Sequence, residues 1–453
     1  WLLDSLMPTR NVMVITAAML LSIICYSKVP QNQYAQFYER ATKVLGQRYV
    51  EEVDQEVLFQ GAMNGMMATL DEHSNYLPPR QYEGLDAILN QEFGGLGIQI
   101  EGVEDSTELR IITPVLGSPA LEQGLQAGDI IVKIGDLYTK DIPQDESLDL
   151  LRGPEDTSVH ITISREGVID LLDFEVTRKI IRTSTLRGYQ RNENGQWNHS
   201  LPEPADDILY MHVTDFGQRT TEEVKKLILG IKEMGGYTGI VLDLRGNGGG
   251  LLSSAVSICD LFIDEANVVE VQYRDKNMNR EYSSTVEATV DPTTPMVVLI
   301  DRDSASASEI TAACLQDHSR ALVIGERSYG KGSVQDVVEL DSTGDRHAIK
   351  YTVAHYVRPS GINIHRSKPI DQMAENEPWG VQPNDGYEMP LDEEQRLDYL
   401  KDKRERFIIK PAGISKEPKD NAEITSIEFE DQNDSYVDPH LQRAIEYLQS
   451  RRQ

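Results

Sequence analysis

The segment TGIVLDLRGNGGG at 238 to 250 constrains this chain most. A short apolar run ends in a glycine-rich turn, and a second apolar stretch, Leu251 to Phe262, follows it. The pattern predicts a buried strand, a turn and an apolar helix, the repeating unit of an α/β fold. Glycines at such a turn free backbone N–H groups to converge on one point, which is what a tetrahedral oxyanion requires. By itself the run identifies no function.

A second pair of segments adds chemistry. The small-residue run SASASE at 304 to 309 precedes, by a short strand and a turn, a lysine set among glycines in YGKGSVQ at 329 to 335. A serine oxygen becomes a nucleophile when a base takes its proton, and lysine is such a base only where burial keeps its amine neutral. Ser306 lies where no bulky neighbour blocks a substrate backbone, and Gly330 and Gly332 leave the chain free to place Lys331. Taken separately, the first segment also reads as a helix start and the second as a surface turn. A phosphate loop is the sharper rival, since GERSYGKG at 325 to 332 satisfies G-x-x-x-x-G-K. That loop needs Ser or Thr directly after the lysine to hold magnesium; here Gly332 stands there and Ser333 comes one place late.

In this order the three segments resemble the C-terminal processing peptidases, tail-specific, PDZ-containing serine proteases of family S41 with a Ser-Lys dyad. The family pattern D-L-R-x-N-x-G-G falls on Asp243, Leu244, Arg245, Asn247, Gly249 and Gly250. The resemblance implies Ser306 as nucleophile, in preference to Ser304 and Ser308, Lys331 as general base and Gln335 as the residue that orients the lysine. It implies an oxyanion hole built from the N–H groups of Gly249 and Ala307, with Gly248 and Gly250 as alternatives to Gly249. Glu309 completes the S-A-S-E signature, and at a helix start it suits the dipole.

Residues 93 to 178 read as short β segments around one helix and resemble a PDZ domain. Gly95, Leu96, Gly97 and Ile98 would form its carboxylate-binding loop, and the following strand would accept a peptide C-terminus by β-addition. Leu96, Ile98 and Ile100 alternate with small or polar residues, so the expected ligand is apolar at its C-terminus. Arg152 matches an arginine that in some family members couples the occupied PDZ domain to the protease core.

Upstream, the family's D-x-H-S-x-Y-L falls on Asp71, His73, Ser74, Tyr76 and Leu77, and reads as a structural turn ending the N-terminal helices rather than as a Ser-His site. His347, His355 and His365 have no acidic partner at a diagnostic spacing, and neither HExxH nor CxxC occurs, so no metal and no cofactor is expected. The 44 basic residues face 74 acidic ones, a net charge of −30, which disfavours nucleic acid as a partner.

The apolar run VMVITAAMLLSIICY at 12 to 26 lies between Arg10 and Lys28, as in an export signal or a membrane anchor. Ile24 before Cys25 is not the small residue that lipidation favours. Cys259 and Cys314 read as buried small hydrophobes. The polar stretch 187 to 207 reads as an inserted loop, 410 to 435 as an acidic linker, and 438 to 449 as an amphipathic helix resembling the family's terminal D-P-x-L-x-x-A. The resulting organisation is a signal or anchor (1–28), an N-terminal helical segment (29–92), a PDZ domain (93–180), an α/β protease core of the crotonase/ClpP-like kind (181–390), and an acidic linker with a C-terminal helix (391–453). Together these imply an exported serine endopeptidase, periplasmic or membrane-anchored, that cleaves proteins near or from their C-termini. Its partners would be protein or peptide substrates with apolar C-termini, and a homo-oligomer is left open. The rival from another class is a catalytically silent PDZ scaffold, against which the intact Ser306, Lys331 and Gln335 argue.

Overall fold

The computed structural model describes residues 11, 13–19, 32–103, 106–192, 194–285, 287–340, 346–368, 372–373, 377–409 and 436–452. Much of the apolar run at 12 to 26, including Cys25, and the linker at 410 to 435 lie outside the described residues. Among the described residues no helix is long and apolar enough to cross a membrane.

Residues 13–19 are helical, and two capped helices follow, α1 (Gln33–Arg48) and α2 (Gln55–Met67); Asn32 and Asp54 accept from the backbone N–H two residues on. A turn leads to β1 (Asn75–Leu77), α3 (Pro79–Asn90) and β2 (Glu92–Gly95). The next elements are β3 (Ile98–Gly102), β4 (Leu109–Pro114), α4 (Pro119–Glu122), β5 (Ile130–Ile134), β6 (Leu137–Tyr138), α5 (Gln144–Leu151), β7 (Ser158–Ser164) and β8 (Leu172–Thr177). They form one antiparallel sheet in the order β3-β4-β5-β7-β8, with β6 on β5. Leu109, Ile111, Ile131, Ile161 and Ile163 fill its core, and β3 is an edge strand, open to a further strand. The chain leaves along β9 (Lys179–Arg182), which pairs with β2, so the strands entering and leaving this domain form a separate two-stranded ribbon.

The remaining elements build the core. These are β10 (Leu186–Arg187), β11 (Gln190–Arg191), β12 (Trp197–Asn198), β13 (Ile208–Val213), α6 (Thr220–Glu233), β14 (Gly239–Asp243) and α7 (Leu252–Asp260). Then come β15 (Asn267–Tyr273), β16 (Arg280–Ser283), β17 (Met296–Ile300), α8 (Ala307–Asp317), β18 (Leu322–Gly325), β19 (Ser333–Glu339), β20 (Ala348–Val357), α9 (Glu393–Phe407) and α10 (Pro439–Ser450). The central sheet runs β10-β13-β14-β17-β18, with the last four strands parallel. Every residue of β13, β14 and β17 is buried, because both faces of a parallel sheet are covered. Leu242 and Val298 join the cluster with α7 and α8; Val241, Val297 and Leu299 join that with Leu441, Ala444 and Leu448 of α10. A second sheet, β1-β20-β15-β16 with β19 on β20, closes over the first cluster through Val269, Val271 and Tyr356.

The structure revises two sequence expectations. The stretch at 187 to 207 is not a plain loop: β10 extends the central sheet, and β11 and β12 pair as a hairpin. Tyr189 packs edge-on to Tyr210 and Trp197 lies against Phe407, aromatic anchors that a polar composition conceals. The chain before the linker also forms a full helix, α9, opened by a capping box of Asp392 and Gln395.

Candidate active site

Three adjacent parallel strands deliver the three sequence segments at their carboxyl ends, where open α/β sheets bind ligands. The glycine turn follows β14, Ser306 follows β17, and the lysine loop follows β18. Hydrogen bonds stitch the first two together. Asn247 Nδ2 donates to Val213 O at 2.8 Å, while Asn247 O accepts from Ala305 N at 3.0 Å and from Ser308 Oγ at 2.9 Å. Ser304 Oγ donates to Leu244 O at 2.9 Å. The hydroxyls of Ser304 and Ser308 are thus engaged by backbone carbonyls. Ser306 has a positive φ, at φ 54°, ψ −111°, a conformation that a non-glycine residue holds only when its surroundings impose it. Its hydroxyl faces the phenol of Tyr356, whose pKa burial pushes up to about 12 against the opposing effect of that contact.

One buried carboxylate imposes the geometry on both sides. Glu309, 0% exposed, accepts from Ser306 N (2.8 Å) and Lys331 N (2.8 Å) through Oε2, and from Ser328 Oγ (2.6 Å) and Gly330 N (2.7 Å) through Oε1. All four partners donate, so the site is built for an ionised acceptor, although burial pushes the carboxyl pKa up. In the first turn of α8 it suits the helix dipole as the sequence suggested, and the four bonds give it a second role. It is the third helical residue of a capping box, and its two oxygens tie the serine turn to the lysine loop.

Lys331 is half-buried, and burial, followed by the nearby charge of Lys350, holds its ammonium pKa below the usual lysine value; Glu309 and Asp71 oppose the shift. No hydrogen bond joins Lys331 Nζ to Ser306 Oγ among the described residues, and Gln335 does not reach the lysine either. Gln335 Nε2 donates to Ser333 Oγ at 2.8 Å and Thr352 Oγ1 at 3.4 Å, beyond an irregularity in register at Val334/Gln335.

For the oxyanion, Ala307 N–H is the first amide of α8 and carries no hydrogen bond among the described residues. Gly249 presses against the nucleophile: at φ 108°, a Cβ added there would lie 2.8 Å from Ser306 Cβ and 3.1 Å from Ala307 N. Its own N–H, however, donates to Asn247 Oδ1 at 2.8 Å.

The glycine turn hangs from a buried ion cluster. Arg245, 2% exposed, donates to Asp243 through Nε at 2.9 Å and Nη2 at 2.6 Å, and contacts Asp438 through Nη1 at 2.9 Å and Nη2 at 2.8 Å. Asp438 also caps α10, accepting from His440 N and Leu441 N. Despite burial, the guanidinium holds both carboxyls below the usual range. Lys403 of α9 donates to Arg245 O at 3.4 Å, and burial lowers its pKa to about 8.

Beside Lys331 opens a cavity of about 640 Å³ lined by Asp71, His73, Ser333, Thr352, His355 and His365 among others. The turn at 71 to 77 is structural as expected, since Ser74 Oγ accepts from Thr352 N at 3.1 Å, but it also walls this cavity. Burial, and next the charge of Lys331, lower the His73 pKa. Among the described residues no group of three or more His, Cys, Asp or Glu is placed to hold a metal ion.

In the β3–β8 domain, Gly95 ends β2, Leu96 is buried, and Ile98 opens the edge strand. Neither Leu96 N nor Gly97 N donates a hydrogen bond among the described residues, and Gly97 turns with φ 75°. Arg152 is exposed at the end of α5, and no hydrogen bond or ion pair joins its side chain to the core among the described residues.

Comparison with known proteins matches the profile of Peptidase family S41 to residues 207–383, that of the PDZ domain to 87–164, and that of the activating protease CtpB N-terminal domain to 27–78. A carboxy-terminal-processing protease of Bartonella bacilliformis is 32% identical over 398 residues, 87% of either chain. Carboxy-terminal processing protease CtpA of Bacillus subtilis is 33% identical over 320 residues, 70% of this chain and 64% of that one. A solved photosystem II D1 C-terminal processing protease is 26% identical, with 80% of this chain and 94% of that one covered at a TM-score of 0.43. With its PDZ domain and its α/β peptidase core, the chain belongs to the S41 carboxy-terminal processing proteases, serine-type peptidases.

Proposed function

We propose that Ser306 is the nucleophile and Lys331 the general base of an endopeptidase that acts near protein C-termini. The observation that carries this reading is Glu309, whose single carboxylate holds the backbone of both residues. Ser306 Oγ would bond to the scissile carbonyl carbon while its proton passes to the neutral Lys331 amine. The lysine then protonates the leaving amine, and water cleaves the acyl-enzyme with the same lysine as base. Ala307 N–H and the glycine turn would donate to the oxyanion, Gly249 doing so once its amide turns from Asn247. Since Ser306 and Lys331 are not bonded here, the dyad closes by a change of Lys331 rotamer, with Gln335 orienting the amine once it is in place.

In the same reading, residues 95 to 98 and the free edge of β3 bind apolar C-termini, and Arg152 couples occupancy to the core. The enzyme is exported, periplasmic or membrane-anchored, and its core is of the crotonase/ClpP-like kind. The exposed Tyr34, Phe37, Val44 and Leu45 of α1 suit contact between copies.

Ser306→Ala and Lys331→Ala should each lower turnover on an unfolded protein substrate by roughly 10⁴ to 10⁶ while the circular dichroism spectrum is kept. Wild-type-like cleavage by either variant would remove the dyad, and absence of cleavage by the wild type itself would leave the scaffold reading.

A further inference from the structure

A second large cavity, about 630 Å³, lies away from the dyad, where the end of β4 approaches α6 and the β11–β12 hairpin. Its walls include Leu116, Leu227, Ile231 and Met234, and two arginines, Arg187 and Arg191, line it as well. Arg191 lies 4.1 Å from the ring centre of Trp197 and 5.4 Å from that of Phe407; Arg187 lies 4.4 Å from the same Phe407 ring. Arg191 is fixed by backbone alone, donating to Phe407 O at 2.8 Å and Gly195 O at 2.5 Å. Arg187 makes no side-chain hydrogen bond among the described residues. The one acid lining the cavity, Glu223, is already engaged by Ser184 Oγ, Thr185 N and Leu186 N.

Two desolvated cations therefore share one aromatic ring without a bonded carboxylate, in a chain of net charge −30. Burial lowers both pKa values, that of Arg191 to about 10, and the charge of Arg187 adds to this; only Asp215 nearby opposes the shift at Arg187. Stacked guanidiniums are preorganised for a bidentate oxyanion. The apolar walls suit a hydrocarbon behind it.

We propose that this cavity binds an apolar chain ending in a carboxylate, with Arg187 and Arg191 holding the head group and Leu227, Ile231 and Met234 the tail. The chemistry is shared by a fatty acid and by the C-terminus of an apolar peptide. The site is separate from the free edge of β3 and does not depend on the dyad.

The full chain should be titrated with octanoate, 1-octanol, and an apolar tetrapeptide as free acid and as amide, by calorimetry and by Trp197 emission, with Trp197→Phe as the blank. At least one acid should bind about tenfold or more tighter than its neutral counterpart, the difference a charge-assisted hydrogen bond makes. Arg187→Gln should remove that difference, since among the described residues Arg187 has no side-chain hydrogen bond to lose. In the wild type, raising salt from about 50 to about 500 mM should weaken the acid and spare the neutral ligand. This arm holds even if the variant misfolds. Binding of octanoate alone identifies a lipid-type acid, and binding of the peptide acid alone a chain terminus. Equal binding of acid and neutral forms, or peptide binding that leaves Trp197 unchanged and survives Arg187→Gln, would overturn the assignment.

Discussion

Replacing Asp438 by Asn should destabilise the protease core by about 3 kcal/mol. Asn keeps the shape of the side chain and remains a good N-cap for α10, so His440 N and Leu441 N keep an acceptor. What is lost is one of two carboxylates around the buried guanidinium of Arg245, with Lys403 as a second cation nearby. Breaking a buried ion pair costs about 3 to 5 kcal/mol, and the lower end applies because Asp243 still grips Arg245 through two bonds. At roughly 2 to 4 °C per kcal/mol for a core of this size, the melting temperature should fall by about 6 to 12 °C. Differential scanning calorimetry should show the shift in the core transition and not in that of the PDZ domain, since a chain of several domains is not two-state. Asp438→Ala should fall further by about 1 kcal/mol, the cap being lost as well. The sign with pH follows from the depressed folded pKa values of Asp243 and Asp438. Their stabilisation is complete above the unfolded value of about 3.9 and disappears as pH falls through the folded values. The Asn variant should show a smaller acid loss. An Asn variant that melts like the wild type while the Ala variant does not would show that the cap, and not the charge, holds α10 and the glycine turn.

Lys350→Met removes the charge that lowers the Lys331 pKa after burial, so the rise of proteolysis with pH should move to higher pH; an unmoved profile counts against Lys331 as the base. Glu309→Gln turns an amide N–H₂ toward donors on one side of the hub, and turnover should fall by roughly 10²-fold with little change in KM, in line with a small misplacement of reacting groups. Loss of the Glu309 charge should also lower the Lys331 pKa further, moving the residual pH profile down. Lys403 has its folded pKa lowered to about 8, so the unfolded chain binds more protons above that pH. Wild-type stability should therefore rise between about pH 8 and the unfolded lysine value of about 10.4, and Lys403→Met should flatten that rise in denaturation at pH 7 and 10.

The segments proposed to form the site were legible because they leave local marks: a serine among small residues, a lysine among glycines, an apolar strand into a glycine turn. The strands beside the glycine turn were legible for the same reason, since β13 and β14 are mostly apolar runs. α9 was not, because its charges surround the helix and only Tyr399 is buried, so no apolar stripe marks it. Gln335 matches its pattern by position, yet the register irregularity beside it and the Ser333 hydroxyl decide where its amide points.

Glu309 shows where a sequence reading runs out. The S-x-x-E spacing is that of a capping box, and it accounts for the bond to Ser306 N from the sequence alone. The other three bonds come from residues 19 to 22 positions further on, brought back by β18 and its turn. A local cap is thereby also a long-range clamp, and the same oxygen that caps the start of α8 also holds the backbone of Lys331. The Arg245–Asp438 pair spans 193 positions and works likewise: a helix cap at one end of the chain braces the strand that carries the glycine turn. In both cases the part that local pattern reveals is the stabilising one. The part that bears on catalysis appears only when the parallel strands set their carboxyl ends side by side.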